Sequence, residues 1–112
     1  MAFSPALLDT RAKSDEGVWF TLEDDAGNEI FEDGEPVQLQ LLGRDCAVAK
    51  EALKKIAEGG DVVESTAAMI KGWSKNLDAE SATELASIPH ISEWVLKKVV
   101  SRSNFMTKAS AA

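Results

Sequence analysis

Cys46 and His90 are the only cysteine and the only histidine of this chain, so together with its 19 carboxylates they make up most of its chemical repertoire. Cys46 follows Gly43-Arg44-Asp45 in what reads as the first turn of a helix, where backbone amides can activate a thiol. A nucleophile there needs a base, an oxyanion-binding glycine-rich segment or a basic cluster, and the sequence supplies none. A small, partly buried side chain is the simpler reading. His90, beside Pro89 at a helix start, reads as a surface or capping residue. The run Asp24 to Glu35 resembles a calcium loop at first sight. An EF-hand loop, however, needs oxygen ligands at positions 1, 3 and 5 and glycine at 6, and counting from Asp24 puts Ala26 at 3 and Glu29 at 6. A solvated hairpin edge is what remains. No spacing fixes two carboxylates across a cleft, and neither a P-loop nor a GxGxxG is present. A lone cysteine also rules out an internal disulfide framework and a cysteine zinc site. The expectation is a protein with no catalytic residue, no metal site and no cofactor, and not an enzyme.

The chain has 112 residues, 12 basic and 19 acidic side chains, and a formal net charge of −7. Its length predicts one domain, residues 1–112. Area scaling at this mass gives about 6,000 Å² folded against roughly 17,500 Å² unfolded, enough for a modest core. No stretch approaches the ~20 apolar residues that span a bilayer, and the N-terminus lacks the basic head and apolar run of a signal peptide. A cytosolic location away from any membrane is expected. The acidity also speaks against nucleic acid as partner, since phosphate backbones need clustered Lys and Arg. That charge is uneven. Residues 1–44 hold Arg11, Lys13 and Arg44 against Asp9, Asp15, Glu16, Glu23, Asp24, Asp25, Glu29, Glu32, Asp33 and Glu35, while the rest of the chain is neutral.

The two parts also differ in hydrophobic period, which predicts an α+β fold with a small N-terminal antiparallel β-meander, about 18–42, packed on a C-terminal bundle of about four helices. Ser4-Pro5 starts a short N-terminal arm, 1–16, that Gly17 ends. Val18, Phe20 and Leu22 alternate with Trp19, Thr21 and Glu23, the period of a strand with one buried face. Asp24 to Asn28 forms a turn, Ile30-Phe31 a return strand, Glu32 to Pro36 a second turn, and Val37, Leu39 and Leu41 share a face of the third strand. The acidic meander 17–44 is followed by a helical part, 45–104. Its expected helices run over about 45–58, capped by Asp45, with Val48, Ala49, Ala52, Leu53 and Ile56 inward; about 61–73, opened by Asp61 with Glu64; about 78–87, capped by Asp78; and about 90–103. Residues 105–112 read as a mobile tail.

Large apolar groups are many for so few core positions. Trp19 falls on the strand face opposite Val18 and Phe20, so it is either covered by a second layer or exposed for binding. On the last helix Leu96 and Val100 lie to the side of Ile91, Val95 and Val99, which makes that helix central or an assembly surface. Core is the simpler role for Trp73 and Trp94. Aromatic residues and Met are favoured at interfaces, and the expected partner-binding residues are Trp94, Leu96, Val100, Phe105, Met106 and Trp19, with self-association through the last helix.

The ordered set of motifs carries a resemblance. Gly17-Val18-Trp19-Phe20 precedes an acidic turn; Gly43-Arg44-Asp45 ends a strand and opens a helix; Lys71-Gly72-Trp73-Ser74 is followed by Leu85 to Pro89, then Ile91 to Val100, then Ser103-Asn104-Phe105. Over roughly residues 17 to 106 this resembles the small tail assembly chaperones of long-tailed bacteriophages and prophages, most tellingly in Gly72-Trp73 and the later Asn104-Phe105. Cys46, where a small polar residue is expected, and the short loop after Trp73 depart from the pattern. The resemblance implies a protein of the bacterial host cytoplasm, absent from the mature virion, that binds the tape measure protein transiently and keeps it soluble until tail tube subunits displace it. It also implies a frameshift-extended form that recruits the tail tube protein, with Thr107 to Ala112 at the junction. Two other classes remain: a structural adaptor that stays in the tail, and an acidic phage-encoded inhibitor that mimics DNA.

Overall fold

The computed structural model describes residues 3–106. A 3-10 turn, Pro5–Leu8, leads into helix α1 (Arg11–Glu16) and strand β1 (Val18–Thr21). A projecting hairpin of β2 (Phe31–Glu32) and β3 (Glu35–Pro36) follows, then β4 (Gln38–Leu41), α2 (Ala47–Ala57), α3 (Val62–Ala68), β5 (Ile70–Trp73), α4 (Ala82–Ala86), α5 (Pro89–Val100) and a C-terminal 3-10 turn, Arg102–Phe105. The class is α+β, as the two hydrophobic periods predict. Among the described residues no helix is long and apolar enough to cross a membrane.

The sheet differs from the expected meander. β4 is central and pairs antiparallel with β1 on one side and β5 on the other, while β2 and β3 pair only with each other. The hairpin branches off where three backbones meet. Leu22 N–H donates to Val37 O, Val37 N–H to Ile30 O, and Ile30 N–H to Leu22 O, at 2.8 to 3.0 Å. At its tip Asp33 (φ 51°) and Gly34 (φ 80°) both take positive φ, the two-residue turn that Asp-Gly favours.

The expected helix over 61–73 is instead α3 followed by β5. Ile70 and Trp73 are three residues apart, a helical spacing, and in a regular strand they would face opposite ways. A bulge opposite Gln40/Leu41 corrects this: Leu41 pairs with Ile70 and Gln40 with Gly72, so Lys71 is the extra residue and Ile70 and Trp73 both turn inward. Other boundaries shift with their caps. Cys46 rather than Asp45 caps α2, its sulfur accepting from Ala49 N–H at 3.3 Å, and Ser81 rather than Asp78 caps α4, accepting from Glu84 N–H at 3.1 Å. Asp61 caps α3 as its spacing to Glu64 indicates. The Ser4 side chain makes no capping bond. The expected helix over 90–103 stops at Val100, and the chain continues through extended Ser101 into the 3-10 turn.

The core lies between the inner face of the sheet and the helices. Leu39 and Leu41 of β4, Met69, and Val95 and Val99 of α5 are fully buried. Ser14 of α1 and Phe105 of the C-terminal turn are each 0% exposed, so the end of the expected arm and the start of the expected 105–112 tail are packed down, while Phe3 and Leu8 ahead of α1 are exposed; residues 1–2 and Thr107–Ala112 lie outside the described residues. The β2–β3 hairpin stands out from this core, with Phe31, Glu32 and Glu35 exposed.

Candidate functional site

Cys46, His90, Asp24 and Glu23 are committed to structure. Cys46 is buried and spends its sulfur on the α2 cap. His90 bridges α5 to the Asp24–Asn28 turn: Nε2 lies 2.6 Å from Glu23 O and Nδ1 3.2 Å from Asp25 Oδ1. Asp24 accepts from the N–H groups of Asn28 and Ala26, which hold its carboxyl below the usual range and close the turn. Among the described residues no group of three or more His, Cys, Asp or Glu could hold a metal ion.

Glu23 fastens the acidic half to α5. Its carboxylate accepts the Trp94 indole N–H at 3.0 Å and lies 3.5 Å from Lys98 Nζ; the indole first, then the lysine charge, lower its pKa. Phe20 meets Trp94 edge-on, with ring centroids 6.4 Å apart, and the Lys98 ammonium sits 5.9 Å from the Phe20 ring and 5.8 Å from the Trp94 ring. This cluster is a brace.

The expected partner-binding residues therefore separate. Trp94 and Phe105 are core, Leu96 and Met106 are half-buried, and Val100 and Trp19 are exposed, at 43% and 47%. They form no single patch on one element. Trp19 lies on the outer face of the sheet, its indole reaching across β4 toward Gly72.

A different surface offers an apolar concavity. Between α2 and α3 runs an open groove of ≈ 400 Å³, lined by Ala47, Val48, Ala52 and Ala68, with Ser65 in its wall and Glu51, Lys55 and Glu64 at its rim. Val48, expected inward, is instead 50% exposed. The helical stripe explains the displacement. Ala49 and Ala52 are buried on the core side of α2, and Val48, 100° round from Ala49, is turned toward the groove. Small side chains make the groove; their abundance at 47, 49, 52, 67 and 68 is visible in the sequence, but which of them face each other is not. Val62, at the start of α3, is likewise exposed.

No family model, no curated protein and no solved structure matches this chain. The candidate site is an apolar inter-helix groove with a mixed-charge rim, and Cys46, His90 and Glu23 serve as cap and braces elsewhere on the molecule.

Proposed function

We propose that this protein is a tail assembly chaperone of a long-tailed bacteriophage or prophage, acting in the host cytoplasm. It holds the tape measure protein soluble until tail tube subunits polymerise around that client and displace the chaperone, which then stays out of the virion. The observation that carries the reading beyond the sequence resemblance is the α2–α3 groove. An amphipathic helical client lays its apolar stripe into a shallow groove of small and branched side chains, and many moderate contacts, rather than a few tight ones, allow release. The commitment of Cys46, His90 and Glu23 to caps and braces also supports a binding role over a catalytic one.

The test is co-expression with the tape measure protein of the phage or prophage from which this chain would come. The wild type should keep the client soluble and co-purify with it. Val48→Asp with Ala68→Asp, both at exposed positions, should leave the fold intact by circular dichroism and abolish co-purification. Leu96→Asp with Val100→Asp probes the α5 surface in the same assay. Full solubilisation by a folded groove variant overturns the groove as the contact. Stoichiometric protein in purified virions overturns the chaperone in favour of a structural adaptor, and competition with DNA for a nuclease would favour the acidic mimic.

A further inference from the structure

Phe105 is buried more completely than its place in the chain leads one to expect. It is carried on a four-residue 3-10 turn that the chain enters through extended Ser101 (φ −88°, ψ 104°), yet its ring is 0% exposed. Apart from that ring the turn is fastened mainly by Arg102, whose guanidinium lies on Asp45 at 3.0 to 3.3 Å with its side chain 59% exposed, and by Asn104 Nδ2, which donates to Lys98 O at 3.0 Å.

The ring fills a slot that the residues leading into α2 create. Its floor is Gly43: a methyl there would lie 2.8 Å from Cγ and Cδ1 of Phe105 and 2.2 Å from Ser14 Oγ, so only glycine leaves the space. One wall is Phe20, whose ring centroid is 5.8 Å away, edge-on. The other is α1, through Ser14. The Ser14 hydroxyl is fully buried and has no hydrogen-bond partner among the described residues. Such an orphan is uncommon, because a buried hydroxyl gives up its bonds to water. Phe105 thus satisfies the apolar part of the slot and leaves its polar corner unmet.

We infer that the slot over Gly43 is a binding site for an aromatic side chain carried on a peptide segment of the client, and that Phe105 is its resident occupant. The turn Arg102–Phe105 swings out about Ser101 when the client enters. A peptide segment brings backbone N–H and C=O groups with its ring, and one of them can meet the Ser14 hydroxyl. When the client is drawn away, the tethered turn re-enters at high local concentration, so one aromatic ring replaces another and the slot is never left open to water. The identity of the occupant rests on the proposed chaperone role; the slot itself does not.

The probe is a labelled hexapeptide of the sequence of residues 101–106, Ser-Arg-Ser-Asn-Phe-Met, with a control in which Ala replaces its Phe. Against the full-length wild type it competes with the resident turn and binds weakly. Phe105→Ala empties the slot and should raise its affinity at least tenfold, with the control peptide failing to bind. Since Phe105→Ala removes a core side chain, Arg102→Ala provides a second arm: it unfastens the turn, keeps Phe105 and leaves Asp45 free for the peptide's own Arg, and should tighten binding several-fold. The inference is overturned if both variants, folded by circular dichroism, bind the peptide no better than the wild type, or if the control binds equally well. It is also overturned, with the chaperone role left intact, if the tape measure protein binds wild type and Arg102→Ala with the same affinity. A wild type that never binds the tape measure protein overturns the chaperone role instead, and the peptide alone then decides on the slot.

Discussion

Asp45 shows how one carboxylate can do a different job from the one its position in the chain indicates. It stands before α2 where a helix cap is expected, but Cys46 takes the cap and Asp45 joins three parts of the chain, accepting from Thr10 Oγ1 ahead of α1 and from Arg102 after α5. The Arg102 guanidinium, and then the Thr10 hydroxyl, hold its pKa below the ordinary carboxylate value. A folded-state pKa lowered relative to the unfolded chain adds stability that is complete above the unfolded value, ~3.9, and is lost as pH falls through the lowered one. Glu23 behaves likewise, through Trp94 and Lys98. Urea unfolding at pH 7 and at successively lower pH should show stability falling below about pH 4, and Asp45→Asn should be weaker at pH 7 but fall less steeply. Equal slopes for the two proteins would remove Asp45 as a contributor. Nothing in the sequence marks Arg102 as the partner, because a pair 57 residues apart is made only when α5 returns to the start of α2.

At the scale of elements, β1 and β4 are legible in their alternation, and α2 and α5 in their apolar stripes. The third strand is not. Ile70-Lys71-Gly72-Trp73 follows α3 directly and has its two apolar residues at helical spacing, so local pattern and tertiary need conflict, and the bulge at Lys71 resolves them. The reason the strand wins lies outside the segment: the edge of β4 offers unpaired backbone groups, and Leu42 N–H finds Met69 O at 2.9 Å and Ser74 N–H finds Gln38 O at 2.9 Å. Deleting Lys71 removes the bulge and leaves Ile70, Gly72 and Trp73 opposite Leu41, Gln40 and Leu39 in plain alternation, with both apolar residues still inward. The deletion gives up the Nζ bond to Glu16 O and should cost about 1 kcal/mol or less in urea unfolding, whereas Ile70→Ala, which keeps the bulge and empties a buried position, should cost about 2 kcal/mol or more. A deletion as costly as Ile70→Ala would mean that Lys71 is not the extra residue of the ladder.

At the scale of the whole molecule, the charge and the apolar surface occupy different ends of the chain but share one core. The hairpin projects Glu29, Glu32, Asp33 and Glu35 into solvent, with no cation within ion-pair distance of them among the described residues, while Glu23 and Asp45 are paired. Unpaired like charges strain a compact state, and salt screens them: the Debye length shrinks from ~30 Å at 0.01 M to ~3 Å at 1 M. Added sodium chloride should therefore raise the melting temperature. A variant with Glu29→Gln, Glu32→Gln, Asp33→Asn and Glu35→Gln should lose most of that rise; asparagine suits position 33, whose φ is 51°. An unchanged salt response would locate the repulsion elsewhere. The sequence by itself determined the α+β class, the Asp33-Gly34 turn, the buried face of β4 and the placement of the acid on turns, since each follows from period or from residues that favour one backbone conformation. Only the tertiary structure decided that Ile70–Trp73 is a strand, that Phe105 is core, that Val48 faces a groove and that Asp45 is a fastener. Those outcomes depend on which groups remain unpaired or uncovered once distant segments have met, and no local pattern encodes that.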